Sequence, residues 1–247
     1  MYINSIKIIF LVFILFQSLH FGLNPSADTF TESEKKSTTI TSAKNEYSLN
    51  IEEIDSLQFF SVKDSSQYIA DDFLKITNLN EVKKRLKNIA VFDEEILDYP
   101  RLVKLKDRKN QTIKIDDEFT FVAYYPEEDI LLCEGGHSID VSFNLKNGEA
   151  TNLTGNPDKI VTSMNKKHRL NGHFGGQQCS SYFIQKKSKD QFQKVIQLDT
   201  EFEKLTNKML CDIGDAFWIN DNILFVTEDS SFGLDTKYYK IKIIEGK

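Results

Sequence analysis

The sequence predicts a mainly β fold, an antiparallel meander that forms a partial β-propeller-like or sandwich sheet, with a small helical N-terminal segment. Two observations favour this class. From residue 102 onward, short stretches of alternating apolar and polar residues follow one another. Polar turns rich in Asn, Asp, Gly and Pro connect them, which is typical of antiparallel strands. A chain of 247 residues is long enough to bury the core that such a sheet requires.

The predicted β domain spans residues 99–247 and begins with a hairpin. Residues 102–107 and 111–117 alternate on either side of a polar turn, which places Ile113 and Ile115 on one face. Ten further strands are expected at 118–125, 130–136, 138–145, 159–163, 168–175, 180–187, 192–198, 216–219, 222–229 and 237–244. Strands this short and this closely spaced predict a meander of neighbouring strands.

Residues 47–98 are predicted to form a helical segment that packs on the sheet. It contains a short strand candidate at 57–62, which is rich in apolar and aromatic residues. Residues 65–66 are both serine and are expected to cap a helix over 67–76, whose apolar residues fall near helical spacing. We expect the helices to cover an open edge of the sheet.

A second helix is predicted over residues 81–92, with Asn80 as its cap. Its basic residues are Lys83, Lys84, Arg85 and Lys87. Acidic neighbours surround them, so the pattern favours a solvated helix face over a surface for an acidic partner or lipid headgroups.

The N-terminus has the layout of a secretory signal peptide, predicted over residues 1–23. Lys7 precedes a nine-residue apolar run at 8–16, and polar residues interrupt this run before it reaches the length of a membrane span. An uncleaved anchor, the only predicted membrane contact, is the alternative. Residues 24–46 are rich in Ser, Thr, Glu and Lys and are expected to form a disordered tether. The folded part is therefore expected in the periplasm or outside the cell.

The charge balance argues against nucleic acid as a partner. The chain carries 37 acidic and 31 basic residues and a formal net charge of −6. Nucleic-acid phosphates require a basic surface, which this composition does not predict.

Three stretches share the order strand, polar turn, strand, loop, strand, with turns near positions 126, 165 and 220. They contain the motifs YYPEED, EGGHSIDVSFNLKNGE, MNKKHRLNGHFGG, WINDNILFVTED and KYYKIKI. Residues 124–243 thereby resemble the degenerate blade repeats of secreted, uncharacterised β-propeller-like proteins. The resemblance implies a scaffold with a binding role rather than an activity. Ten strands would make about two and a half blades of four strands, hence the expectation of a partial propeller or a sandwich.

Histidine and carboxylate residues in the β region suggest an alternative function. Glu134, His137 and His173 are residue types that bind zinc, and an exported hydrolase or metal-dependent enzyme would use them. The sequence contains no HExxH, CxxC, GxSxG or Walker motif, so we predict no catalytic residue, cofactor or metal. Histidines in strands or loops are the preferred interpretation.

The three cysteines are too few for a disulfide scaffold but sufficient for one bridge. Cys179 and Cys211, at the start of a strand and in a connector, are the preferred pair. Cys133 follows three apolar residues and is expected to be a small buried hydrophobic residue.

The predicted function is a non-enzymatic module that binds another protein or a component of the cell envelope. Candidate binding residues are the exposed aromatic residues and histidines of the β region: Tyr124, Tyr125, His137, His173 and Phe174. Aromatic side chains on a surface supply large contact areas for protein or sugar ligands. A structural partner that completes the sheet of another chain is a further alternative.

Overall fold

The computed structural model describes residues 46–108, 110–115, 117–176, 179–229 and 236–246. The predicted signal peptide over 1–23 lies outside these residues, and so does all but the last residue of the predicted tether. Among the described helices, none has the length and apolar character needed to span a membrane.

The described residues form fourteen strands and four α-helices. The strands are β1 (Tyr47–Ile54), β2 (Ala90–Phe92), β3 (Pro100–Lys104), β4 (Thr112–Lys114), β5 (Thr120–Tyr125), β6 (Ile130–Glu134), β7 (Asp140–Asn144), β8 (Val161–Thr162), β9 (His168–Phe174), β10 (Ser180–Ser188), β11 (Gln191–Gln197), β12 (Ile213–Asn220), β13 (Ile223–Glu228) and β14 (Lys237–Glu245). The helices are α1 (Ser56–Ser65), α2 (Leu79–Arg85), α3 (Thr151–Thr154) and α4 (Leu198–Thr206).

The strands are arranged in four antiparallel sheets, which confirms the mainly β prediction. Sheet I consists of β2, β3 and β4, and sheet II of β5, β6 and β7. Sheet III has the order β11, β10, β9, β8, and sheet IV has the order β1, β14, β13, β12. As far as the chain is described, none of the sheets closes on itself. The hairpin and the ten strands predicted after residue 102 correspond one by one to β3 through β14.

The three repeat-like stretches each fall within one sheet. Their polar turns join β5 to β6 in sheet II, β8 to β9 in sheet III and β12 to β13 in sheet IV. The internal similarity of the sequence therefore reflects three sheets that begin with the same hairpin arrangement. Sheet I lies outside these stretches, and its strands β2 and β4 have only three residues each.

Sheet IV contains strands from both ends of the described chain. β1 pairs with β14 over its whole length, from Tyr47 opposite Glu245 to Ile54 opposite Tyr238. Leu49 and Ile54 are buried against the sheets. The segment 47–98, predicted to be helical, thus contains the edge strand of the last sheet as well as β2.

Residues 57–62, predicted as a strand, lie within helix α1. The carboxylate of Asp55 accepts a hydrogen bond from the N–H of Gln58 at 2.8 Å and caps the helix. Phe59 is fully buried in a cluster with Phe217 and Phe225 on one face of sheet IV. An N-cap and the burial of Phe59 therefore stabilise a helix whose sequence has almost no amphipathic pattern of its own.

The helix predicted over 67–76 is absent from the structure. The serines expected to begin it close α1 instead, because the hydroxyl of Ser65 donates to the carbonyl of Val62 and that of Ser66 to the carbonyl of Lys63. The following residues run without regular structure as far as Ile76, which pairs with Tyr124 of β5.

The second predicted helix is shorter than expected and begins earlier. Asn78, not Asn80, caps α2 by accepting the N–H of Glu81 at 3.1 Å. The end of the predicted helix, over 90–92, is strand β2, where Ala90 and Phe92 are buried and Val91 is exposed. This alternation suits a strand that is covered on one face.

Two large apolar clusters hold the sheets together in pairs. One lies between sheets III and IV and includes Leu170, Ile184, Trp218 and Ile241, all with an exposed fraction near zero. The indole N–H of Trp218 donates to the carbonyl of Val161 at 2.8 Å, which links β12 to β8. The other cluster joins sheets I and II with α2, through residues such as Val82, Leu86, Val103, Leu131 and Leu145.

Candidate functional site

The irregular residues 67–75, here called the crossing segment, lead from α1 on sheet IV towards sheet II. Three contacts fix the crossing segment and the residue after it. The carboxylate of Asp71 accepts the backbone N–H of Thr162 at 2.6 Å. The ammonium of Lys75 donates to Asp158 at 2.5 Å. Ile76 then exchanges two backbone hydrogen bonds with Tyr124, at 3.0 and 2.9 Å. These contacts attach the segment to sheets II and III.

The backbone of the crossing segment is not paired. Within the described chain, residues 67–75 make no backbone–backbone hydrogen bond, whereas helix α1 precedes them and the paired Ile76 follows them. Backbone N–H and C=O groups are strong hydrogen-bonding groups, and those without a protein partner must bind water or a ligand. The segment is therefore an anchored stretch of chain whose backbone is not paired with another strand.

The side chains of the crossing segment divide into anchors and exposed groups. Phe73 packs against a buried cluster of sheet II that contains Ala123 and Tyr125. In contrast, Ile69 is 86% exposed and Leu74 is 50% exposed. Both side chains are therefore available for contact with another molecule.

A cavity of about 640 Å³ opens beside the crossing segment. Its wall comes from the segment itself, from the β5–β6 turn and from the β8–β9 turn. The described lining residues include the carboxylates of Asp71, Asp72, Glu127 and Glu128 and a single ammonium group, that of Lys166. The cavity is therefore acidic.

Two of these carboxylates have partners in the protein and two do not. Glu128 accepts a hydrogen bond from the guanidinium of the buried Arg169 at 2.9 Å. Asp71 accepts the backbone N–H of Thr162. Asp72 and Glu127 form no ion pair with any described residue. The unbalanced negative charge of the cavity therefore lies on Asp72 and Glu127.

Tyr68 lines both this cavity and a second one of about 490 Å³, whose lining also includes Asp158 and Asp215. Burial, reinforced by the charge of Asp71, raises the pKa of Tyr68 to about 12. The phenol is consequently neutral at physiological pH and keeps its O–H donor. Lys63 pairs with Asp215 at the edge of the second cavity and connects α1 to sheet IV.

Tyr124 and Tyr125 do not form the exposed surface that was predicted, because both are buried, with 5% and 1% exposure. The hydroxyl of Tyr124 donates to the buried carboxylate of Asp129 at 2.9 Å, and Lys106 pairs with the same carboxylate. Consecutive strand residues point to opposite faces, and sheet II is covered on both. The tyrosine pair is therefore part of the core.

The histidine candidates are not brought together as a metal site. His137 is exposed in a short 3₁₀ turn, Gly136–Ser138, next to the exposed Glu134. His173 is half-buried in β9, where burial lowers the pKa of its imidazole. The described residues contain no group of three or more His, Cys, Asp or Glu side chains that could hold a metal ion.

Phe174 is half-buried at the end of β9, and its backbone N–H donates to Asp140 at 2.6 Å.

Cys179 and Cys211, the pair preferred from the sequence, form a disulfide. This disulfide is compatible with an exported protein. Cys133 is buried, and burial raises the pKa of its thiol to about 12, so it remains protonated.

The crossing segment was missed in the sequence because its apolar residues mimic helical spacing. The signals against a helix were the adjacent carboxylates Asp71 and Asp72 in its middle and the serine pair before it, which suits a helix end as well as a helix start.

Comparison with known proteins finds no matching family model, no matching curated protein and no matching solved structure.

Proposed function

We propose that this chain is an exported, non-enzymatic binding module whose partner docks on the crossing segment and its acidic cavity. The observation that carries the proposal is the 86% exposure of Ile69 beside a cavity of about 640 Å³. Exposed apolar side chains next to a concave surface are typical of binding sites. Met164, in the β8–β9 turn that lines the same cavity, is also exposed and enlarges the apolar part of the site.

The proposed scaffold is a degenerate four-bladed β-propeller-like arrangement. Its support is the chain order: sheets I, II and III are built from successive segments, and β1 joins the last sheet beside β14. A propeller consists of such sheets arranged around a central channel. The crossing segment, which contacts sheets II and III, would then lie in the channel region where propellers commonly bind.

Export to the periplasm or the cell exterior is supported by the Cys179–Cys211 disulfide and by the signal-like N-terminal sequence. A partner in that compartment is a protein or another component of the cell envelope. We propose a protein, because a site with both apolar and acidic groups suits a polypeptide better than an anionic envelope polymer.

Site-specific photo-crosslinking in the producing cells tests this function. A photoreactive residue replaces Ile69 in the full chain, and a matched control replaces Leu205, which is 54% exposed on α4. The proposal predicts a discrete cross-linked protein product from position 69 and none from position 205. Equal products from both positions, or none from either, would contradict it.

A further inference from the structure

We infer that the ligand of this site is an extended, basic peptide segment of a partner protein, which adds to the crossing segment as a β-strand. This inference rests on the proposed function and goes further by naming the chemistry of recognition: backbone hydrogen bonds for affinity, and carboxylates and apolar side chains for selectivity.

The backbone supplies the first part of the argument. Residues 67–75 are held at both ends, by α1 and by the Ile76–Tyr124 pair, and in the middle by the bond from Thr162 to Asp71. Between these points their N–H and C=O groups have no backbone partner among the described residues. Because this stretch is already fixed, it loses little conformational entropy when a peptide pairs with it. Its unpaired backbone groups can then bind those of an extended peptide.

The charges supply the second part. The carboxylates of Asp72 and Glu127 line the cavity without an ion pair among the residues that the structure describes. These carboxylates would repel an acidic peptide, whereas lysine or arginine side chains of a basic peptide could form an ion pair with each of them. The one lining ammonium, on Lys166, leaves the acidic excess uncompensated.

The apolar groups set the pattern of the peptide. Ile69 and Met164 offer exposed apolar surface next to the carboxylates. Since side chains of an extended strand alternate between its two faces, a peptide with basic residues at every second position can present apolar residues in between. A basic and apolar alternation is therefore the expected recognition motif.

The test uses a fluorescent octapeptide with alternating Lys and Val, measured by anisotropy against the full chain. We expect it to bind, and the matching Glu–Val peptide not to bind. Two further Lys–Val peptides carry backbone N-methyl groups, one on all its Lys residues and the other on all its Val residues. Because N-methylation removes the backbone donors of one edge, at least one of these peptides should bind about tenfold more weakly or worse.

Charge-neutralising variants place the binding on the protein. Asp72→Asn and Glu127→Gln are each expected to weaken binding of the Lys–Val peptide by about two- to fivefold, as for partly exposed ion pairs. Glu203→Gln removes the same charge from an exposed position on α4 and should leave the affinity unchanged. An equal loss in all three variants would overturn the assignment to this cavity.

The outcomes separate this inference from the proposed function. If position 69 cross-links to a partner but the Lys–Val peptide does not bind, or both N-methylated peptides bind like the parent, strand addition is wrong and the binding module stands. If position 69 captures no partner and the peptide also fails to bind, both proposals fall.

Discussion

Phe59 fixes α1 to sheet IV, and its truncation to alanine is expected to destabilise the protein strongly. Its ring is fully buried and lies 5.2 Å from that of Phe217 and 5.1 Å from that of Tyr238, centroid to centroid. Loss of this buried apolar surface costs about 2–3 kcal/mol. The remaining cavity adds about 24 cal/mol for each Å³ that the neighbours do not fill, so we expect about 3–5 kcal/mol for Phe59→Ala.

Urea unfolding measures this effect through the fluorescence of Trp218, the one tryptophan of the chain, which is fully buried between sheets III and IV. A loss of this size lowers the unfolding midpoint by roughly 1–2 M urea. Leu57→Ala is the matched control, because Leu57 lies on the same helix but is 82% exposed. Similar effects of the two substitutions, or a loss below about 1 kcal/mol for Phe59→Ala, would refute the packing of α1 described above.

Three further variants test the disulfide, a buried carboxylate and a buried imidazole. Replacing Cys179 and Cys211 by serine should lower the free energy of unfolding by about 2–4 kcal/mol, and reductant should no longer affect the melting temperature. Asp129→Asn should cost about 1–3 kcal/mol in urea unfolding, because it weakens the buried bonds of this carboxylate. Burial lowers the pKa of His168 in the folded protein, so the unfolded chain binds this proton more readily. His168 should therefore make the free energy of unfolding fall as the pH drops below about 6.5, by at most about 1.4 kcal/mol per pH unit, and His168→Gln should remove this contribution.

The controls for these tests come from the same chain. Asp107→Asn is the control for Asp129→Asn. It neutralises an exposed carboxylate between β3 and β4 and should alter the free energy of unfolding by less than about 0.5 kcal/mol. An unchanged pH slope in His168→Gln would show that its imidazole is not held neutral by burial. Persistent sensitivity of the cysteine-to-serine variant to reductant would argue against the assigned disulfide.

The strands after residue 102 could be predicted because their signals are local. Period-two alternation and turn residues such as those at 126–129 and 220–222 are properties of a few consecutive residues. The antiparallel sheets II, III and IV follow directly from them. The pairing of β1 with β14 places Tyr47 opposite Glu245, almost 200 positions later in the chain. No local sequence pattern predicts a pairing between such distant residues.

The region of the candidate site could not be predicted because distant residues determine it. Thr162 and Tyr124 fix the conformation of the crossing segment and override the helical spacing of its apolar residues. The burial of Tyr125 likewise depends on the elements that cover sheet II, not on the strand in which it lies. The sequence alone could place the aromatic residues on strands but not decide which faces of those strands meet solvent.

Hydrogen exchange of the free full-length protein, read by mass spectrometry, tests the central claim most directly. Amides of the crossing segment lack backbone partners within the described chain, so they should exchange at close to the rate of an unstructured peptide. Amides of β6 and β10, which pair with a neighbouring strand on each side, should be slower by orders of magnitude. Protection of residues 67–75 equal to that of β6 would show that their backbone is already paired, and the docking edge proposed here would not exist.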